Sequence, residues 1–277
     1  MIKIDKDLTA IPQSLKTDEE SISKAPARTT HARRLEVIVQ GRYPDSQKST
    51  NYDKRYKYDD IKTRLVSLYH NKCAFCESKL ESMHVEHFRP KRGGYYWMAF
   101  SWDNLLLSCP TCNTYKSDDF FLSERGVRAV FTNTDDVIQR INTLSSVYDA
   151  TEKPLMISPE TVTAEELAAI TFSQDGSMSS ENVRMQHTIE SCKLSRQALC
   201  EIRKCIWDRL RNHISIAAAE FGVGSERFHD AVTIAVKAFR SESQDVKSDY
   251  IAFRKYVLSS DWIRQEIRKI FYDHESH

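Results

Sequence analysis

Glycine and proline are scarce, with seven of each in 277 residues. An all-β fold joins many strands through turn residues, so this composition argues against one. Neither sign of charge is in surplus: Lys plus Arg is 40 and Asp plus Glu is 39. A balanced total neither demands nor forbids nucleic acid, because local patches decide that. No apolar run approaches the ~20 residues of a membrane span. The start, Met1-Ile2-Lys3-Ile4-Asp5-Lys6, lacks the apolar stretch of a secretory signal. There is no Walker-type phosphate loop, no internal repeat and no low-complexity tract. The remaining composition, 40% apolar and 29% charged, is that of an ordinary globular chain with ample material for a core.

Cysteine is present in an odd number, seven. Four form two knuckles, Cys73-Ala74-Phe75-Cys76 and Cys109-Pro110-Thr111-Cys112. Two such pairs can supply the four thiolates of a closed tetrahedral zinc site. Cys192, Cys200 and Cys205 lie in a helix-like stretch, where free cysteine usually acts as a small buried hydrophobe. Without a signal or membrane span, the expectation is a cytoplasmic chain whose reduced knuckles bind metal and form no disulfides.

Three regions follow along the chain. Residues 1–58 are polar and weakly patterned. From Arg28 to Lys57 they hold eight Lys or Arg against three acidic residues. They read as a polar arm, either solvated or contacting phosphates or a partner. Residues 59–125 hold the knuckles. A helix over 59–71 is predicted from Ile61, Leu65, Leu68 and Tyr69 on one face. A short strand follows at 83–88, a turn at Gly93-Gly94, a second strand over Trp97–Leu107, and a helix after Pro110. Residues 126–277 are mainly helical and offer a partner-docking surface. Thr163 and Glu166 form a capping box, and Ile170–Ser173 begins a strand and turn. Apolar stripes recur at Leu199, Ile202, Ile206, Leu210 and Ile214, at Phe228, Ala231, Ala235 and Phe239, and at Tyr250, Phe253 and Tyr256; Trp262, Ile267 and Phe271 mark a last helix. These stripes read as core.

The chemistry concentrates between the knuckles. Glu86 and Asn113 offer oxygen donors that suit Mg²⁺ or Mn²⁺, with water and phosphate oxygens completing the shell. His87 would then activate the attacking water as general base. Asn104 is placed to hold the loop that carries His87, by bridging backbone groups left unpaired there. Arg89, Lys91, Arg92 and Lys116 flank the loop as phosphate contacts or as solvated charge. His84 shares a strand face with Glu86 and either supports the site or lies on the surface. Tyr95, Tyr96 and Trp97 are read as packing rather than base-stacking residues.

The run His84-Val85-Glu86-His87-Phe88-Arg89-Pro90-Lys91, followed by Trp102-Asp103-Asn104-Leu105-Leu106-Leu107-Ser108-Cys109-Pro110-Thr111-Cys112-Asn113-Thr114-Tyr115-Lys116, resembles the HNH nuclease motif. More narrowly it resembles the HNH subunit of Septu-type anti-phage defence (PtuB), including its retron-associated relatives. The resemblance covers roughly residues 59–122, with short weaker matches at Lys153-Pro154-Leu155, Thr188-Ile189-Glu190 and Leu194-Ser195-Arg196. It implies an α+β, mostly helical protein with a zinc-stapled ββα-metal unit embedded in it. It also implies an endonuclease hydrolysing phosphodiester bonds, acting as the toxic effector of a defence complex. His87 becomes the base, Asn104 the loop-holding residue, Glu86 and Asn113 the Mg²⁺ or Mn²⁺ ligands, and Cys73, Cys76, Cys109 and Cys112 the structural zinc site. The implied partners are an ABC-type ATPase (PtuA-like), a nucleic-acid substrate and, for retron-borne forms, a reverse transcriptase with its RNA–DNA product. Two positions depart from the common pattern: Glu86 stands where many members have Asp, and Asn113 where many have His. The alternatives are a non-catalytic zinc module that binds nucleic acid or scaffolds a partner, and a nuclease whose substrate is RNA, including transfer RNA.

Overall fold

The computed structural model describes residues 1–16, 29–44, 55–79, 81–92, 94–129 and 144–275. Arg28 and Gly93, named in the sequence reading, lie outside them, as do Lys48 and Lys54 of the basic stretch. The chain is an α+β protein, mostly helical, with two small antiparallel sheets.

The first sheet is the short one around which the knuckles close. Strand β1 (His84–His87) pairs with β2 (Leu105–Ser108), placing Glu86 opposite Leu106 and His87 opposite Leu105. Helix α2 (Asp59–Leu68) packs Ile61 and Leu65 beneath the sheet, both fully buried. Helix α3 (Pro110–Lys116) starts at the second knuckle: Pro110 takes a first-turn position where no amide is needed, and the Cys109 thiol caps the Cys112 N–H. Ala74 N–H donates to the Leu107 carbonyl at 2.8 Å, which lays the first knuckle on β2.

The second strand is shorter than the sequence predicts. Residues Tyr96–Met98 and Trp102–Asn104 are 3₁₀ turns, and only Leu105–Ser108 is strand. Tyr95, Trp97, Met98, Phe100 and Trp102 are buried all the same. An apolar run can fill a core from irregular backbone, and alternation alone cannot tell the two apart.

Within 1–58 the described residues pack onto this unit. Met1, Ile4, Leu15, Val37, Ile38, Tyr43 and Tyr56 join the core, together with helix α1 (Thr30–Gln40). Arg33, Arg34 and Arg55 are buried as well, so these three cations do not face solvent as the polar reading of the region had them. Lys6 Nζ donates to the carbonyls of Trp102 and Leu105 at 2.8 and 2.6 Å and pairs with Glu160 at 2.9 Å.

Among the described residues the C-terminal part has α4 (Asp149–Glu152) and α5 (Ala164–Ala168) first, the latter held by the Thr163–Glu166 capping box. Strands β3 (Ile170–Phe172) and β4 (Met178–Ser180) form the second sheet. Then come α6 (Val183–Ser191), α7 (Gln197–Phe221), α8 (Glu226–Gln244), α9 (Ile251–Ser259) and α10 (Trp262–Glu275). Leu199, Ile206, Leu210 and Ile214 face the core, whereas Ile202 is 44% exposed. Cys192 is buried, but Cys200 is half-buried and Cys205 is exposed, so only one of the three behaves as a core hydrophobe. Among the described residues no helix is long and apolar enough to cross a membrane.

Candidate active site

The four knuckle sulfurs all lie within 4.8 Å of one another, and all four cysteines are buried and free of disulfides. That donor set fits a tetrahedral zinc ion: thiolates only, no water-facing edge, and no competing cross-link. Cys76 Sγ sits 3.8 Å from Cys109 Sγ and 2.9 Å from the Ser78 hydroxyl. Cys112 N–H donates to Cys109 Sγ at 3.3 Å. Such contacts stabilise thiolate and hold each ligand in its rotamer.

Above the metal site, β1 and α3 line a cleft of about 730 Å³. Glu86 and Asn113 meet in its wall. The Asn113 amide hydrogen-bonds Glu86 Oε2, and Lys116 Nζ donates to Glu86 Oε1 at 2.8 Å. A carboxylate and an amide from two separate elements, touching at an open cleft, are a donor set that a hard divalent cation would accept. His84 is exposed at the same cleft.

His87 is almost fully buried at the cleft floor. Its Nε2 lies 3.0 Å from the Ala99 carbonyl, and its ring packs edge-on against Tyr56 with centroids 4.6 Å apart. A carbonyl can only accept, so Nε2 must carry the proton and Nδ1 the lone pair. Lys91 Nζ stands 3.5 Å from Nδ1. Burial above all, then the charges of Lys91, Lys116 and Lys57, push the imidazole well below its ordinary pKa, against the Ala99 contact, which raises it. Lys91 is itself held down to about 8, mainly by burial and then, against the opposing pull of Glu86, by its cationic neighbours Arg92 and Lys57.

Asn104 is fully buried just ahead of β2 and ties the loop after His87 by three hydrogen bonds. Oδ1 accepts from Arg89 N–H at 2.8 Å; Nδ2 donates to the Arg89 carbonyl at 3.0 Å and to the Met98 carbonyl at 3.2 Å.

Two residues expected at phosphates are elsewhere. Arg89 is 1% exposed and spans Glu152 at 3.0 Å and Asp149 at 2.6 Å. Lys116 is fully buried between Glu86 and the His87 carbonyl. Their carboxylate partners consume the charge a phosphate would need. Lys91 does line the cleft, together with Lys57, Lys62 and Arg92. Tyr95 and Trp97 are buried packing residues. Lys62 and Tyr56 carry no motif signal; they line the cleft from α2 and from the turn before it, where Tyr56 packs on His87.

Comparison with known proteins defines the class first. Residues 73–119 match the family model described as HNH endonuclease. The knuckles, both strands and α3 of this site are therefore an HNH domain. Two particular relatives are each named Septu protein PtuB. The one from Bacillus mycoides (strain KBAB4) is 37% identical over 81 residues, which cover 24% of this chain and 28% of the relative. The one from Bacillus thuringiensis is 43% identical over 60 residues, covering 20% of this chain and 23% of the relative. The chain thus spans about a quarter of the length of the curated relatives it matches.

Proposed function

We propose that this protein is a metal-dependent HNH endonuclease that hydrolyses nucleic-acid phosphodiester bonds. In that reading it serves as the effector of an anti-phage defence complex with an ABC-type ATPase. The observation that carries the nuclease reading is the tautomer of His87: Nε2 is committed to the Ala99 carbonyl, which leaves a basic Nδ1 beside the cleft. A zinc ribbon with no catalytic task has no use for that arrangement, nor for Glu86 and Asn113 meeting one strand position away.

His87 Nδ1 removes the proton from an attacking water. Asn104 keeps the loop after His87 closed by fixing both backbone groups of Arg89. Glu86 and Asn113 would hold Mg²⁺ or Mn²⁺, which when bound would supply Lewis-acid stabilisation of charge on the phosphate. Lys116 fixes Glu86, and its second bond to the His87 carbonyl joins the metal-side and base-side residues of β1. Lys57, Lys62, Lys91 and Arg92 draw the phosphate backbone into the cleft.

The defence role rests on the names of the two relatives. A partner is supported by the apolar groove between α7 and α8, about 450 Å³, where Phe221 is 39% and Ile234 68% exposed. Purified protein, alone and with any ATPase encoded beside it, is incubated with DNA and with RNA in Mg²⁺ or Mn²⁺. Metal-dependent cleavage that disappears in His87→Ala is expected. Undiminished cleavage by His87→Ala, with contaminants excluded, overturns the mechanism. Cleavage of RNA alone moves the substrate to that class.

A further inference from the structure

The corner between α6 and α7 reaches back onto the knuckles. Arg196, at the start of α7 and 84 residues beyond Cys112, directs Nη1 at Cys112 Sγ at 3.6 Å. The same nitrogen donates to the carbonyls of Cys192 at 3.3 Å and Lys193 at 3.2 Å. The Cys192 carbonyl is itself 3.9 Å from Cys112 Sγ, and Cys192 is fully buried. Lys193 holds a positive φ of 48° at the bend, so the chain turns sharply to make this approach.

Four thiolates around one Zn²⁺ carry a net charge of about −2. Every one of the four cysteines here is buried, and uncompensated charge in such a place is costly. A guanidinium is suited to meet it: it is permanently charged, weakly hydrated, and presents a rigid fork of donors. Nη1 alone meets a thiolate and two carbonyls, joining charge compensation to the shape of the bend.

We infer that Arg196 is a positioning residue of the four-cysteine site, through which bound zinc pins the α6–α7 corner onto the HNH domain. Zinc then acts as a staple between the nuclease unit and the helical region, and not only within the ββα unit. The inference rests on the cysteine site and is independent of the nuclease reading, since none of its tests measures cleavage.

The test follows zinc release from the full chain into a chromogenic chelator, far below the melting temperature. In Arg196→Ala the release rate should rise roughly ten- to a hundredfold, if the affinity lost when residues supporting metal ligands are removed is expressed in dissociation. Arg196→Lys, which keeps the charge but not the fork, should fall between. Release at the parent rate from folded Arg196→Ala, even with a lowered melting temperature, would reduce Arg196 to a helix-start contact and overturn the inference. Should Arg196→Ala fail to fold, hydrogen exchange on the parent decides. Chelation should deprotect residues 190–197 together with the knuckles. Deprotection of the knuckles with an unchanged corner refutes the staple.

Discussion

Asn104 closes a pair of hydrogen bonds on the backbone of Arg89, accepting from its N–H at 2.8 Å and donating to its carbonyl at 3.0 Å. Both partners are buried, so water cannot replace the bonds. Asn104→Asp keeps the acceptor but turns the donor into an oxygen facing two carbonyls. We expect a loss of roughly 1–3 kcal/mol in stability and a fall in kcat larger than any change in KM. Asn104→Asp with parent kcat would show that the loop needs no such clasp.

The position of His87 sets a pH expectation. Its pKa is lowered, so the folded protein keeps a neutral base at a pH where an ordinary histidine is charged. The acid limb of the kcat/KM profile should therefore fall below pH 6.5. Lys91→Met removes a contributing positive charge and should shift that limb upward. The stability sign agrees: below pH 6.5 the unfolded chain binds the proton first, so this group's contribution to stability rises with pH across the window and is lost on acidification. An acid limb at or above pH 6.5 in the parent would count against His87 as the titrating base.

Buried and exposed lysines near the cleft should separate cleanly. Lys116→Met strands the Glu86 carboxylate and should cost on the order of 3–5 kcal/mol in denaturant unfolding. Lys57→Ala and Lys62→Ala should leave stability within about 0.5 kcal/mol. Each should weaken substrate binding and lower the slope of log affinity against log salt by about one. A Lys62→Ala protein with an unchanged salt slope would remove that residue from the phosphate path.

Zinc should be required for the domain to fold. Cys76→Ser combined with Cys109→Ser removes half the donors from a site whose binding can supply about 10–16 kcal/mol of apparent free energy. Metal analysis should show zinc lost, and circular dichroism a collapse of cooperative melting. A normally folded, equally stable double variant would refute a structural metal.

The sequence was most readable where the signal is local. The knuckle spacing, the cap at Thr163 and the face of Ile61 and Leu65 each depend on residues a few positions apart, and the structure has all three. Arg89 and Lys116 were misread because their counter-ions are distant: Glu152 lies 63 residues from Arg89 and Glu86 lies 30 from Lys116. Charge looks like surface until the fold supplies a partner. The span before β2 reads as strand because Trp97–Leu107 is apolar and aromatic enough for one; its buried 3₁₀ turns leave no periodic trace. Met1, Ile4 and Leu15 were too sparse to declare a core segment, and only packing against the rest of the chain makes them one.

The salt bridge from Arg89 to Asp149 and Glu152 bears on how such a protein can be inherited. The guanidinium belongs to the nuclease motif, while both carboxylates sit in α4, beyond it. Lys6, from the opposite flank, feeds the carbonyl of Leu105 at the first residue of β2. A cassette cut at residues 59 and 125 would carry a dry cation without its anions and a strand without its donor. Recombination at those points should yield destabilised hybrids. Exchanges that travel with both flanks keep the ionic partners together.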